Sequence, residues 1–158
     1  MSRQVFQCWL PFMLAIAAIF VGLGRSFVGL GGWGLLATLF MYMPILLVYA
    51  VVVGVILRRR PAGYLMSVKV QRVFIALLVS LFLLSIFMVD GGDTPESVGS
   101  LFTGLLSKVG IANGIHDSMI SLSSIVGFIS YYAAMIFLGV SFGLLMNDHR
   151  DTTGKLKN

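Results

Sequence analysis

The stretch SFVGLGGWGLLATLFMYMPILLVYAVVVGVIL, Ser26 to Leu57, carries no charge in 32 residues, and Arg58-Arg59-Arg60-Pro61 closes it. A membrane-crossing helix needs about 20 predominantly apolar residues. This run has more than enough, and its surplus is at the front. Gly29, Gly31, Gly32 and Gly34 surround Trp33 there. Ser26–Trp33 therefore reads as a tight turn at a membrane surface, with Trp33 as an interfacial anchor. The span itself is expected from about Gly34 to Leu57. Pro44 lies inside it and should kink the helix, freeing a carbonyl one turn earlier.

Three further apolar runs follow the same logic. Val5–Gly24 is the first. Its short basic start and Ala15-Ile16-Ala17 resemble a secretory signal, but it is expected to be retained as a span. Pro11 falls near its start, where proline is tolerated. Val73–Val89 is the third, 17 uncharged residues between Arg72 and Asp90. That is the lower limit for crossing, and Lys69 and Arg72 can reach toward headgroups. Ser118–Met146 is the fourth, long enough to cross with tilt. Composition agrees. The 158 residues are 58% hydrophobic and 11% charged, whereas a soluble domain has about 25% charged residues. The fold class expected is an all-α integral membrane protein, one domain over 1–158. It has four transmembrane helices, an amphipathic surface helix and a tail over 147–158.

Charge placement sets the orientation. With the N-terminus inside, the inner segments hold Arg3, Arg58, Arg59, Arg60, Lys69, Arg72, Arg150, Lys155 and Lys157. The outer segments hold only Arg25 and Lys108. This nine-to-two division points to cytoplasmic termini, with Arg58, Arg59, Arg60, Lys69 and Arg72 as the main topology determinants. The expected location is a bacterial plasma membrane. The formal charge of +5 does not indicate nucleic acid, because these cations flank apolar runs instead of forming a face on a water-exposed fold. Lipid is the expected partner. Cys8, the one cysteine, can form neither an internal disulfide nor a redox pair. It is expected to be a buried, inert thiol.

The connection Asp90–Asp117 contains a second helical signal. Val98, Leu101, Phe102, Leu105, Leu106 and Val109 recur at the spacing of one helical face. Thr94 is the expected N-cap, with Pro95 and Glu96 in the first turn. The helix should run from about 95 to 109 and lie on the outer leaflet, on the span tops or against a partner. Ser97, Ser100, Thr103, Ser107 and Lys108 fall on its opposite face.

The fourth run offers two smooth faces. Ser123, Gly127, Ser130, Ala134 and Ser141 share one stripe at 100° per residue. Gly139 and Gly143 form a GxxxG pair opposite. Apolar helices in lipid associate by close backbone approach, so both faces are candidates for helix–helix or partner contacts. Tyr131 and Tyr132 lie mid-span, and their hydroxyls need partners.

No acidic, basic or histidine residue falls near the middle of any expected span. Such residues mark proton relays and ion coupling. Neither His116 nor His149 is placed to ligate haem. Phosphate-binding, hydrolase-elbow and metalloprotease motifs do not occur. No catalytic residue, metal or cofactor is therefore expected, beyond bound lipid. The reading that results is a non-catalytic accessory or assembly subunit of a larger complex, held by other integral membrane subunits. A respiratory or electron-transfer assembly is one setting. The alternatives are an oligomeric channel or carrier, with Pro44 and the span-four serines lining a path, and a small membrane enzyme. The enzyme would use the outer cluster around His116 and Asp117, with Asp90, Asp93 and Glu96 in the same loop, a set that is also a candidate metal site.

Overall fold

The computed structural model describes residues 3–23, 36, 38–60, 64–89, 99–108 and 116–155. Its helices are α1 (Arg3–Leu23), α2 (Met43–Arg58), α3 (Val68–Phe87), α4 (Leu101–Lys108) and α5 (His116–Lys155), with a π-helical turn at Thr38–Tyr42 before α2. Four helices are long and apolar enough to cross a membrane: Arg3–Leu23, Leu39–Arg58, Val68–Phe87 and Ser118–Asp148. The Ser26–Trp33 turn and the loop acids Asp90, Asp93 and Glu96 lie outside the described residues.

Each helix starts or bends for a local reason. Pro44 is at the beginning of α2, so the expected kink becomes a junction. The π-turn just before it, whose bonds run to the fifth residue, makes room for the proline ring against the preceding carbonyls. In α1, Pro11 is well inside the helix, not near its start, because the helix begins at Arg3. Having no N–H, Pro11 cannot donate to the Gln7 carbonyl. Ser67 caps α3 by accepting from the Val70 N–H at 3.4 Å. The helix therefore opens five residues before the uncharged run and carries Lys69 and Arg72 in its first turns.

The buried positions follow helical periodicity. On α1 they are Phe6, Leu10, Leu14, Ala18 and Val21, and on α3 Val70, Phe74, Leu77, Leu81 and Leu84. Helix α3 packs against both α1 and α5, and α2 packs on α1. Phe20 of α1 stacks on Phe82 of α3 at 6.0 Å. Leu46, Ala50 and Val53 of α2 and Ala134 and Leu145 of α5 complete the core. The outward faces are also apolar: Trp9, Phe12, Val48, Phe82, Phe128 and Ile136 are all exposed. Water would penalise such a surface over a whole domain.

Cys8 is exposed, contrary to the expected buried thiol. It lies two residues from the inward-facing Phe6, about 200° around the helix, which turns it away from the core.

Helix α4 differs from its expected form. Its first residue is Leu101, and Gly99 and Ser100 are not helical. Ser100 caps it reciprocally with Thr103. The Thr103 N–H donates to Ser100 Oγ at 3.2 Å, and the Ser100 N–H donates to Thr103 Oγ1 at 2.7 Å, the two-way arrangement of a capping box. This pair was expected on the open face, yet Ser100 and Thr103 are buried, and Ser100 Oγ donates to Ser123 Oγ of α5 at 3.1 Å. Paired hydroxyls can be buried at little cost, so the polar corner turns inward and Leu105 turns out, 51% exposed. Leu101 is buried, and Phe102 meets Phe87 at 5.0 Å. Leu106 is half-buried. Val98, Val109 and the Thr94–Glu96 start lie outside the described residues.

Candidate functional site

The site is built around the arginine end of α2. Helix α2 stops at Arg58, where the Arg59 N–H donates to the Val55 carbonyl at 3.1 Å and the Arg60 N–H to the Leu57 carbonyl at 3.3 Å. Arg58 and Arg59 point outward, as do Lys69 and Arg72. Arg60 does not, because its side chain is only 2% exposed. Its Nη1 donates to the Asp148 carbonyl at 2.8 Å and its Nη2 to the Leu145 carbonyl at 2.9 Å. These carbonyls belong to α5, and each has a second lone pair beyond its helical bond. The Asp148 carboxylate stands 4.0 Å away, and the guanidinium lies over the Tyr64 ring at 4.3 Å. Burial pulls the Arg60 guanidinium below its ordinary pKa, and Asp148 opposes that shift. An arginine stays charged at neutral pH regardless. Arg60 therefore locks α2 to α5 across 88 residues of sequence.

Two tyrosines extend this link through the bundle. The Tyr49 hydroxyl hydrogen-bonds Ser141 Oγ, both buried. Tyr42 Oη donates to Tyr131 Oη at 3.1 Å. Tyr131 thus finds its partner in another tyrosine, while Tyr132 is half exposed, packed against Phe128 at 4.7 Å.

On the other side of α2, an open groove of about 1110 Å³ runs between α1 and α2. Pro11, Ala15, Leu47, Ala50 and Gly54 line its apolar body, and Gln4, Gln7, Arg58 and Arg60 line one end. Small residues create it. A Cβ on Gly54 would sit 3.3 Å from Pro11 Cβ, so the helices meet closely there and the shallow side chains around them leave space. Cys8 is on its lining.

The two faces of α5 are placed differently. Ser123, Gly127, Ser130, Ala134 and Ser141 are all buried. A Cβ on Gly127 would meet the Phe87 carbonyl oxygen at 2.7 Å. Gly139 and Gly143 are exposed, and a Cβ on either would meet nothing within 4 Å. The α5 helix begins at His116, so Asp117 falls inside its first turn. The side chains of His116, Asp117 and His149 lie outside the described residues. Among the described residues, no group of three metal-ligating side chains occurs.

The arginine lock is not legible in the sequence, and of the tyrosine contacts only the need of the Tyr131 hydroxyl for a partner is. Arg60 looked like a third topology cation and Asp148 like a tail residue. The available signal was that both fall on the same side of the expected topology.

The class these features define is an all-helical protein among its described residues, with four helices long and apolar enough to cross a membrane and a short helix between the third and fourth. Compared with protein-family models, curated proteins and solved structures, the chain matches none.

Proposed function

We propose that this chain is a non-catalytic accessory or assembly subunit of a larger membrane protein complex, seated in the plasma membrane with both ends cytoplasmic. The observation that carries the reading is the bare Gly139–Gly143 face of α5. Gly22, Gly54 and Gly127 each lie against a neighbour in the chain, whereas Gly139 and Gly143 lie against none. A glycine on an outward helical face contributes no packing to its own bundle. It permits close approach by a second helix. Exposed Met135, Ile136, Val140 and Phe142 surround the pair and would supply the contact around it.

The test is purification from native-level expression in mild detergent, with the co-purifying chains identified. A stoichiometric integral membrane partner is expected. Gly139→Leu combined with Gly143→Leu should release it without unfolding the chain, because the added side chains enter open space. Purification of the wild-type chain alone overturns the proposal, as does a partner that stays bound to the double variant.

A further inference from the structure

We infer that the groove between α1 and α2 is a binding site for one phospholipid with an anionic headgroup, taken from the leaflet at the Arg58 end. The inference rests on the membrane reading but not on the accessory role.

Both walls of the groove change character in the same direction. On α1, Gln4 and Gln7 lead to Pro11 and then Ala15. On α2, which runs the opposite way, Arg58 leads to Gly54 and then Leu47. The Pro11–Gly54 contact fixes the register of the two walls. The polar ends therefore coincide, and so do the apolar ones. Gln4 to Ala15 spans about 16 Å at roughly 1.5 Å per residue. Half of a hydrocarbon core of about 30 Å is ~15 Å. The groove thus has the depth of one leaflet, with its polar end at headgroup level.

Charge selects the headgroup. Arg58 lines the polar end and is exposed, and the buried Arg60 side chain lines it too. Arg3 and Arg59 are exposed nearby in sequence, and the acidic group facing Arg60 is Asp148. A guanidinium matches a phosphate in shape and charge. The Gln4 and Gln7 amides offer donors to phosphate or ester oxygens. A free anion would use only this end. The apolar body calls for an acyl chain.

Native mass spectrometry of the full chain, extracted in mild detergent and titrated with phosphatidylglycerol or phosphatidylcholine, tests the site. Wild type should retain one phosphatidylglycerol and bind phosphatidylcholine about tenfold more weakly, a difference of ~1.4 kcal/mol. Arg58→Gln should weaken phosphatidylglycerol about tenfold. Arg59→Gln removes the same charge from an exposed neighbour that does not line the groove, and should leave binding within about twofold. Val51→Phe should weaken it with the charge unchanged, since Val51 lines the groove and is 65% exposed. Equal losses from the two arginine variants overturn the site. So do wild-type binding by Val51→Phe, equal retention of the two lipids, and full displacement by inorganic phosphate. Resistance of the chain to alkaline extraction tests insertion separately. A chain that inserts but retains no anionic lipid therefore overturns the groove alone.

Discussion

Gly127→Ala is the substitution whose cost is best defined by the packing. The new Cβ would be 2.7 Å from the Phe87 carbonyl oxygen and 3.0 Å from Phe87 C and Met88 Cα. The oxygen must retreat about 0.7 Å to reach the 3.4 Å at which ordinary contact begins. All three atoms are backbone, so no side chain can rotate away. Overpacking of this kind costs about 1–3 kcal/mol, occasionally more. Alanine also recovers up to ~1 kcal/mol of helix propensity. Gly139→Ala makes the same chemical change on the same helix in open space and shows the propensity gain without the clash. The difference between the two variants therefore isolates the α3–α5 contact, and about 1–3 kcal/mol is expected. Unfolding in mixed micelles titrated with dodecyl sulfate, followed by helicity, measures it. If the variants agree within about 0.5 kcal/mol, the usual tolerance for substitutions away from such features, then Gly127 is not where the two helices meet and the reasoning fails.

Three further outcomes are expected. Arg60→Ala removes two charge-assisted bonds and a ring contact, and should destabilise by about 3 kcal/mol. Arg59→Ala should stay within ~0.5 kcal/mol in the same titration. A double-mutant cycle of Tyr49→Phe and Ser141→Ala should give a coupling near 0.6 kcal/mol and below about 1.7, the range for hydrogen bonds between membrane helices. A coupling of zero would mean that the hydroxyls do not share a bond. Ser100→Ala should cost about 1 kcal/mol by removing the α4 cap. It should speed hydrogen exchange of the α4 amides roughly fivefold, with little change in the other helices.

The four long apolar helices are legible in the sequence because their signal is local. The uncharged run ending at Leu57 and the helix ending at Arg58 differ by one residue, since three successive arginines leave little latitude. The third helix starts five residues before the uncharged run Val73–Val89, because charge does not set its boundary. The boundary is the Ser67 cap, and two exposed cations fit easily in the opening turns. Helix pairing was less accessible. Arg60 and Asp148 are 88 residues apart, and no periodicity within either segment indicates that one faces the other. The α4 cap shows another limit. Apolar spacing puts Ser100 and Thr103 on the open face, but Ser123 on α5 accepts from Ser100, which in turn holds Thr103. A polar residue faces inward when its partner is already there, and that partner belongs to another helix.

The length of α5 has a mechanical consequence. Its apolar part, Ser118–Asp148, is 31 residues, or about 46 Å at ~1.5 Å per residue. Fitting that wholly within a core of about 30 Å would need an inclination near 50°, beyond the roughly 0–40° seen for membrane helices. In a bilayer, some of it would project. It continues without interruption to Lys155. A rod without a joint transmits torque, so whatever grips its end would turn the Gly139–Gly143 edge through the same angle. Arg60 grips the rod at Leu145 and Asp148, where a lever would have its fulcrum.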